Sequence, residues 1–508
     1  MKALSELAEM VHNTKIKEVE LVQQNRNGHS PLNTLLNGIL NNEFPSDQDA
    51  AQKILQVDAT DQLYQRLRRK LRRSLLNAVF FFDLPQSDYN ERQRAYHESC
   101  KTWAAAKILL AKNANHIGIE LCHKLLKKAE KFDFTDLVMD ITRILRLHYA
   151  TREGNIKKYE LYNDLFKQCE KTWIEENLAE ELYMELVLRY VNSQNILEET
   201  HSRAIEFYKQ IEGSLAQNKS FRLHLCGMLI QQVIHSSNYD WEGMISLCEN
   251  SIQFFLSKPY KASVPLQIAY HHQLIAYTQL LRFEEGQKAA TSCLEYLEPG
   301  SFNWFKHQEY YFLLCMNTKQ YQHAFEIFKE TTTHRRIQFL SPAAAEVWKI
   351  YEAYLYFLHS NGEISIPESD SSLSKFRIYR FLNETPIFSK DKKGMYIPIL
   401  IVQILITLKD KKYNQAIVNI ENIDRYCSRY LRQGETFRSN CFIKMLLTIP
   451  SSNFHREAVV RKAAKLKKRL EQESNRFVRT EIEIIPYEIL WEYVLNSLGN
   501  KAYQVRRM

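Results

Sequence analysis

Thirteen glycines and twelve prolines are all that the 508 residues contain. Together they make about 5 % of the chain, where average usage would give roughly 12 %. Tight β-corners need one or the other, and a phosphate-cradling loop needs glycine so that the backbone can approach the anion. A chain this poor in both is confined to long helices joined by short polar turns. The scarcity predicts an all-α fold and excludes turn-rich β architectures. Glycine-loop nucleotide enzymes are excluded with them, because neither GxGxxG, GxxxxGK(S/T) nor GxSxG occurs.

The length would fit about three ordinary domains or one extended repeat array. Hydrophobic residues at 45 % can build large cores, and charged residues at 25 % are too few for global disorder. The net charge of +9 permits an acidic or nucleic-acid partner without requiring one. Nine cysteines are scattered, no two within ten residues, so no CxxC knuckle exists and no metal is expected. They read as buried free thiols of a protein in the reducing cytoplasm. The opening MKALSELAEMVHNTK carries acids and no apolar run, so it does not read as a signal peptide. The longest apolar stretch, Met395–Leu408, is interrupted by Pro398 and Gln403 and reads as a buried helix rather than a membrane span.

Along the chain, 1–90 reads as a small mixed N-terminal domain. Ser5–His12 is helical in pattern, and the β-branched run Ile16–Gln23 suggests a strand before the Asn27-Gly28 turn. Ser30 with Pro31, then Ser46, then Asp61 mark three helix starts. The third helix carries Leu63, Leu67, Leu71, Leu75 and Val79 as one apolar stripe. From 91 to 216 the chain reads as degenerate helical hairpins, and from 217 to 359 as clearer helical repeats. A polar insertion at 360–395 includes a short strand expected at Glu363–Ile366 and the break Phe388–Gly394. Helical repeats resume over 396–508.

The repeat signal is clearest in QIAYHHQLIAYTQLLRFEEGQKAATSCLEYLEPGS. Tyr270 and Tyr277 lie on a first helix; Phe283, Gly286, Ala290 and Cys293 lie on a second, and Pro299 ends the unit. Tyr321, Ala324 and Phe328 repeat the rule, as do Trp241, Met244 and Cys248, and Tyr413, Ala416 and Ile420. Small residues let the second helix approach the first, while aromatics fill the space between hairpins. This spacing resembles tetratricopeptide (TPR) repeats, with units longer than the usual 34 or so residues. Through YQRLRRKLRRSLLNAVFFFD and FRIYRFLNETPIFSKDKKG the whole chain is also similar to uncharacterised TPR-like proteins of the Bacteroidota. The resemblance implies an α-solenoid that binds partners. It implies no activity and no catalytic residues.

One constellation stands out. Arg66, Arg68, Arg69, Lys70, Arg72 and Arg73 crowd the third N-terminal helix, behind a short helix and turn, in a helix-turn-helix-like arrangement. Such cations can neutralise a nucleic-acid backbone and release its counterions, or can dock on acidic protein. A second basic run, Arg456–Gln472, has an apolar side of Ala458, Val459, Ala463, Leu466 and Leu470, and reads as the polar outer face of a terminal repeat. Arg92–His97 and Arg143–His148 match the Arg-x4-His spacing of HEPN-type helical ribonucleases. His271-His272 is adjacent on a helix and does not form a chelating pair. The sequence thus predicts a non-enzymatic scaffold or adaptor without cofactors, binding a peptide or protein partner on its solenoid surface. Two alternatives stay open: a nucleic-acid-associated regulator using the basic helix, and, more distantly, a HEPN-type ribonuclease.

Overall fold

In a computed structural model of the chain, the described residues are 2–13, 30–82, 89–192, 197–367, 373, 376–385, 396–430, 437–472 and 483–500. They form twenty-two α-helices, and among them the only β-type pairing is an isolated bridge between His455 and Gly499. Two compact units divide at 162/163, inside the segment expected to hold degenerate hairpins.

The first unit opens with α1 (Lys2–Asn13), α2 (Pro31–Leu40), α3 (Asp47–Leu55) and α4 (Gln62–Ala78). The three expected helix starts are real caps. The Ser30 hydroxyl accepts from the Asn33 N–H, the Ser46 hydroxyl from Asp49, and the Asp61 carboxylate from Leu63 at 2.7 Å. Each satisfies a donor that a helix start leaves without an intrahelical partner. Leu4, Ala8, Leu35, Ala51, Tyr64, Leu71 and Leu75 close one core between these four helices. The α4 stripe is not quite the expected one. Leu63 is 58 % exposed, and Tyr64 is fully buried in its place. The Tyr64 hydroxyl donates to Asp47 on α3 at 2.8 Å, so its ring enters the core with its polar end satisfied. The strand expected at Ile16–Gln23 lies outside the described residues. Then come α5 (Glu91–Ala111), α6 (Asn115–Lys131) and α7 (Thr135–Thr151), packed consecutively, and α8 (Ile156–Asn192), within which the unit ends.

The second unit continues with α9 (Leu197–Gln217), α10 (Phe221–Ser237), α11 (Trp241–Leu256), α12 (Ser263–Leu280), α13 (Phe283–Leu294), α14 (Phe302–Asn317), α15 (Tyr321–Thr333) and α16 (Pro342–Ser360). Each of these packs on the next. After α17 (Ile378–Glu384) come α18 (Tyr396–Lys409), α19 (Tyr413–Tyr430), α20 (Phe437–Leu447), α21 (Arg456–Gln472) and α22 (Tyr487–Ser497). The last helix turns back onto α18, α20 and α21. The apolar run Met395–Leu408 becomes α18, buried along most of its length. Glu363–Ile366 forms no strand. It follows a turn at Gly362 (φ 79°) and buries Ile364, whose carbonyl meets the His359 ring at 3.0 Å.

Four hairpins of the second unit close in the way that those after α5 and α6 do at Asn113 and Asp133. Tyr239, Leu281, Lys319 and Lys411 take left-handed backbone with φ of 58°, 58°, 62° and 56°. The next N–H in each case reaches back five residues: Asp240 to His235, Arg282 to Tyr277, Gln320 to Cys315 and Lys412 to Thr407, at 2.9, 3.0, 2.8 and 2.9 Å. This is the Schellman closure, where glycine is the usual left-handed residue. Here side-chain-bearing residues take that conformation, which is how a glycine-poor chain makes so many hairpins. The aromatics Trp241, Phe283, Tyr321 and Tyr413 each open the second helix two residues later. Three residues further on, Met244, Gly286, Ala324 and Ala416 are buried. At Gly286 a methyl group would sit 2.7 Å from Leu314 Cδ2 and 3.2 Å from Tyr277 Cβ, so glycine lets α13 approach both α12 and α14.

Candidate functional site

On α4 the side facing the core carries Tyr64, Leu71, Leu75 and Ala78. At about 100° per residue, Arg66, Arg69, Lys70 and Arg73 fall together on the opposite side, with Arg72 at its edge. All five are exposed. Arg68 is different: it is half-buried and its Nε lies 3.3 Å from Asp47. It tethers α4 to α3 beside the Tyr64 hydrogen bond. Arg69 also donates from Nε to the Gln65 carbonyl at 3.1 Å, within its own helix. None of the five exposed cations forms an ion pair among the described residues. Leu76, Phe80 and Phe81 continue the exposed surface past Arg73, at 47 %, 57 % and 57 % exposure.

The second candidate was not legible in the sequence. A cleft of ≈ 560 Å³ lies between α9, α10 and α11. Leu215, Met228, Leu247 and Phe255 supply apolar wall, and Gln231, Ser246, Asn250, Ser251 and Lys219 supply polar groups. No carboxylate is among its lining residues. His224 stacks on Phe254 with ring centroids 3.8 Å apart and 17° between planes. Burial pushes this imidazole down to about 4, so it is neutral near pH 7. Its Nε2 lies 3.0 Å from the Asn218 carbonyl, which makes Nε2 the protonated nitrogen. At the far end, Asp240 caps α11 by accepting from the Gly243 N–H at 2.9 Å and meets His235 Nδ1 at 2.8 Å. The Gly243 N–H is the main cause holding the Asp240 carboxyl below its ordinary value; burial opposes it and His235 assists. A side chain at Gly243 would run into both Asp240 and His235, so glycine is required for that contact.

The cleft therefore offers an aromatic and aliphatic floor, amide and hydroxyl donors and acceptors, and one lysine. Such a surface suits an extended backbone with a side chain seated below it. No hydrogen bond among the described residues joins a serine of the cleft to a histidine.

The other sequence candidates are dispersed. Arg92 donates to the Phe132 and Asp133 carbonyls at 3.0 and 3.1 Å, closing the end of α6, and lies over the Phe134 ring. His97 is exposed between Tyr89 and Tyr96. Arg143 lies 3.4 Å from Asp140, and His148 lies 3.1 Å from Glu153. None of the nine cysteines is in a disulfide; seven are buried, with Cys100 and Cys169 half-buried. Among the described residues, no group of three or more His, Cys, Asp and Glu is placed to hold a metal ion. No described helix is long and apolar enough to cross a membrane. Compared with known protein families, curated proteins and solved structures, the chain matches none of them.

Proposed function

We propose that this chain is a non-enzymatic helical-repeat scaffold, TPR-like in its hairpin packing, that holds a peptide segment of a protein partner. The observation that carries this reading is the cleft between α9, α10 and α11: mixed in polarity, without a carboxylate, and walled by consecutive helical hairpins. Hairpins of this kind, stacked as a solenoid, offer extended surface for partner recognition. The test is selection from a displayed library of linear peptides against the full chain. Enrichment of a shared motif, with protection of α10 and α11 from hydrogen exchange when a selected peptide binds, supports the reading. Failure to enrich any motif, or protection elsewhere only, contradicts it.

A second reading rests on a separate observation: five exposed cations on α4 without an ion pair among the described residues. In that reading α4 contacts a nucleic-acid backbone, and the repeats hold a protein. Binding of a labelled duplex or single strand would then fall steeply as salt rises, because phosphate contacts release counterions. Affinity that is flat in salt removes this reading. The carbonyl contacts of Arg92 weigh against the ribonuclease alternative, since that guanidinium already serves the α6 terminus.

A further inference from the structure

From Gln62 to Phe82 the chain contains no Asp or Glu. On the outward side of α4, Arg66, Arg69, Lys70 and Arg73 are followed by exposed Leu76 and Asn77. Phe80 and Phe81 come next, in the 3₁₀ turn Val79–Phe81 that ends the helix. Arg66 and Phe80 are about 20 Å apart along the axis. The two rings stay outside because Phe82 takes the inner place beside them. It packs against the core of α1 to α4, and its N–H reaches the Val79 carbonyl at 3.2 Å. Its own carbonyl accepts from Lys101 Nζ on α5 at 2.6 Å, which fixes the turn. The result is a row of cations that ends in two phenylalanines, each 57 % exposed.

We propose that this surface binds single-stranded nucleic acid in preference to duplex, with the cations along the backbone and Phe80 and Phe81 stacked on bases beyond them. The proposal rests on the reading that α4 contacts a nucleic-acid backbone, and it names the form of nucleic acid. A segment with cations and no carboxylate suits a polyanion. Four of the five exposed cations are arginine, whose planar guanidinium bonds phosphate oxygens in pairs and lies flat on a base. The phenylalanines then decide between strand forms. A duplex keeps the flat faces of its bases stacked inside and presents only phosphates and groove edges. A single strand presents those faces, and every base has one, so stacking asks for no particular sequence. The start of α4 also suits a duplex groove poorly. A recognition helix sends its first residues to the base edges. Here Gln62 stands between the Asp61 carboxylate, which caps the helix, and Leu63, which is 58 % exposed. An anionic bilayer would attract lysine and arginine alike, so it does not account for the arginine excess.

Fluorescence anisotropy of the full chain with labelled oligo(dT), a mixed-sequence duplex of equal length and anionic phosphatidylserine vesicles tests this. Oligo(dT) should bind at least about tenfold more tightly than the duplex at 0.1 M salt. Phe80→Ala with Phe81→Ala should weaken oligo(dT) binding about 30-fold, and duplex binding less than about threefold, with the salt dependence of both unchanged. Phe80→Trp with Phe81→Trp keeps the rings and should hold oligo(dT) at least as tightly as wild type, with tryptophan emission quenched on binding. Should the alanine pair lower the melting temperature, the tryptophan pair decides alone. Duplex bound as tightly as oligo(dT), alanine variants that bind it normally, or tryptophan emission that does not respond overturns the single-strand proposal and leaves backbone contact standing. Binding of neither oligonucleotide, or affinity flat in salt, removes that underlying reading and the proposal together. Vesicle binding without oligonucleotide binding does the same and assigns the surface to lipid.

Discussion

Helices α4 and α21 look alike as sequence: both are dense in arginine and lysine, and both keep one narrow apolar stripe. Their cations have different surroundings. In α21, Lys462 donates to the Ser451 carbonyl at 2.6 Å, Lys467 lies 3.5 Å from Glu471, and Arg469 lies over the Phe437 ring at 4.8 Å. Behind it, Val459, Ala463 and Leu470 are buried in the core of the second unit. In α4 only Arg68 is drawn into an ion pair, and the remaining five cations face outward together. Charge density does not separate a candidate contact surface from a solvated one. On α21 three cations are engaged, while Arg461, Lys465 and Lys468 stay exposed without an ion pair among the described residues; on α4 Arg68 and Arg69 are engaged, while Arg66, Lys70, Arg72 and Arg73 stay exposed.

The largest effect that could break this contrast lies beside α21. Arg438 on α20 and Glu483 are 3 % and 2 % exposed. Arg438 Nε donates to Glu483 at 2.7 Å and Nη2 to Glu488 at 2.8 Å, which ties the segment before α22 to α20. Removing one partner of such a buried pair leaves an uncompensated charge, so Arg438→Met should cost about 3–5 kcal/mol in denaturant unfolding of the second unit. A loss under about 1 kcal/mol would mean that the C-terminal helices do not depend on this pair.

Next is the direct comparison. If α4 contacts nucleic acid, Arg66→Glu, Arg69→Glu and Arg73→Glu together should weaken binding about 100-fold at 0.1 M salt, with an unchanged melting temperature. The matching α21 variant, Arg461→Glu with Lys465→Glu and Lys468→Glu, should change it less than threefold. Equal losses in both would erase the distinction.

Acid should weaken the second unit. His224 and His307 are each pushed down to about 4, chiefly by burial. Among the described residues neither ring nitrogen of His307 makes a well-aligned hydrogen bond, and the Ala290 backbone opposes the shift only in part. In the unfolded chain these rings take up a proton near 6.5. The native state stays neutral until lower pH, so stability present above 6.5 falls as pH drops toward 4. At pH 5.5 the loss is about 1 kcal/mol for each histidine. Melts from pH 7 to 5 should show it, and His307→Gln should flatten the slope. A wild-type profile that is flat from 7 to 5 would contradict this account. The smallest effects are local: Asp61→Ala should remove about 1 kcal/mol through the lost α4 cap, and Lys467→Ala under about 0.5 kcal/mol.

Local features were the legible ones. The starts of α2, α3 and α4 followed from Ser30, Ser46 and Asp61, because a cap is a contact within a few residues. Gly286 stood out as a packing glycine because its neighbours repeat at fixed spacing. The left-handed turns at Tyr239, Leu281, Lys319 and Lys411 carried no such mark, since none is the glycine or asparagine that usually reveals one. The exchange of Leu63 for Tyr64 on the α4 stripe depended on Asp47, seventeen residues away. Arg438 and Glu483 are separated by 45 positions, and the cleft is shaped by three helices, so neither leaves a local signal.

The most direct measurement is calorimetric titration of one selected peptide into the wild-type chain and into a Gln231→Ala, Asn250→Ala variant. The account predicts micromolar binding that weakens at least tenfold in the variant, while the melting temperature stays within about 2 °C. Equal affinity for both proteins would contradict it, because the peptide would then be held somewhere other than the cleft between α9, α10 and α11.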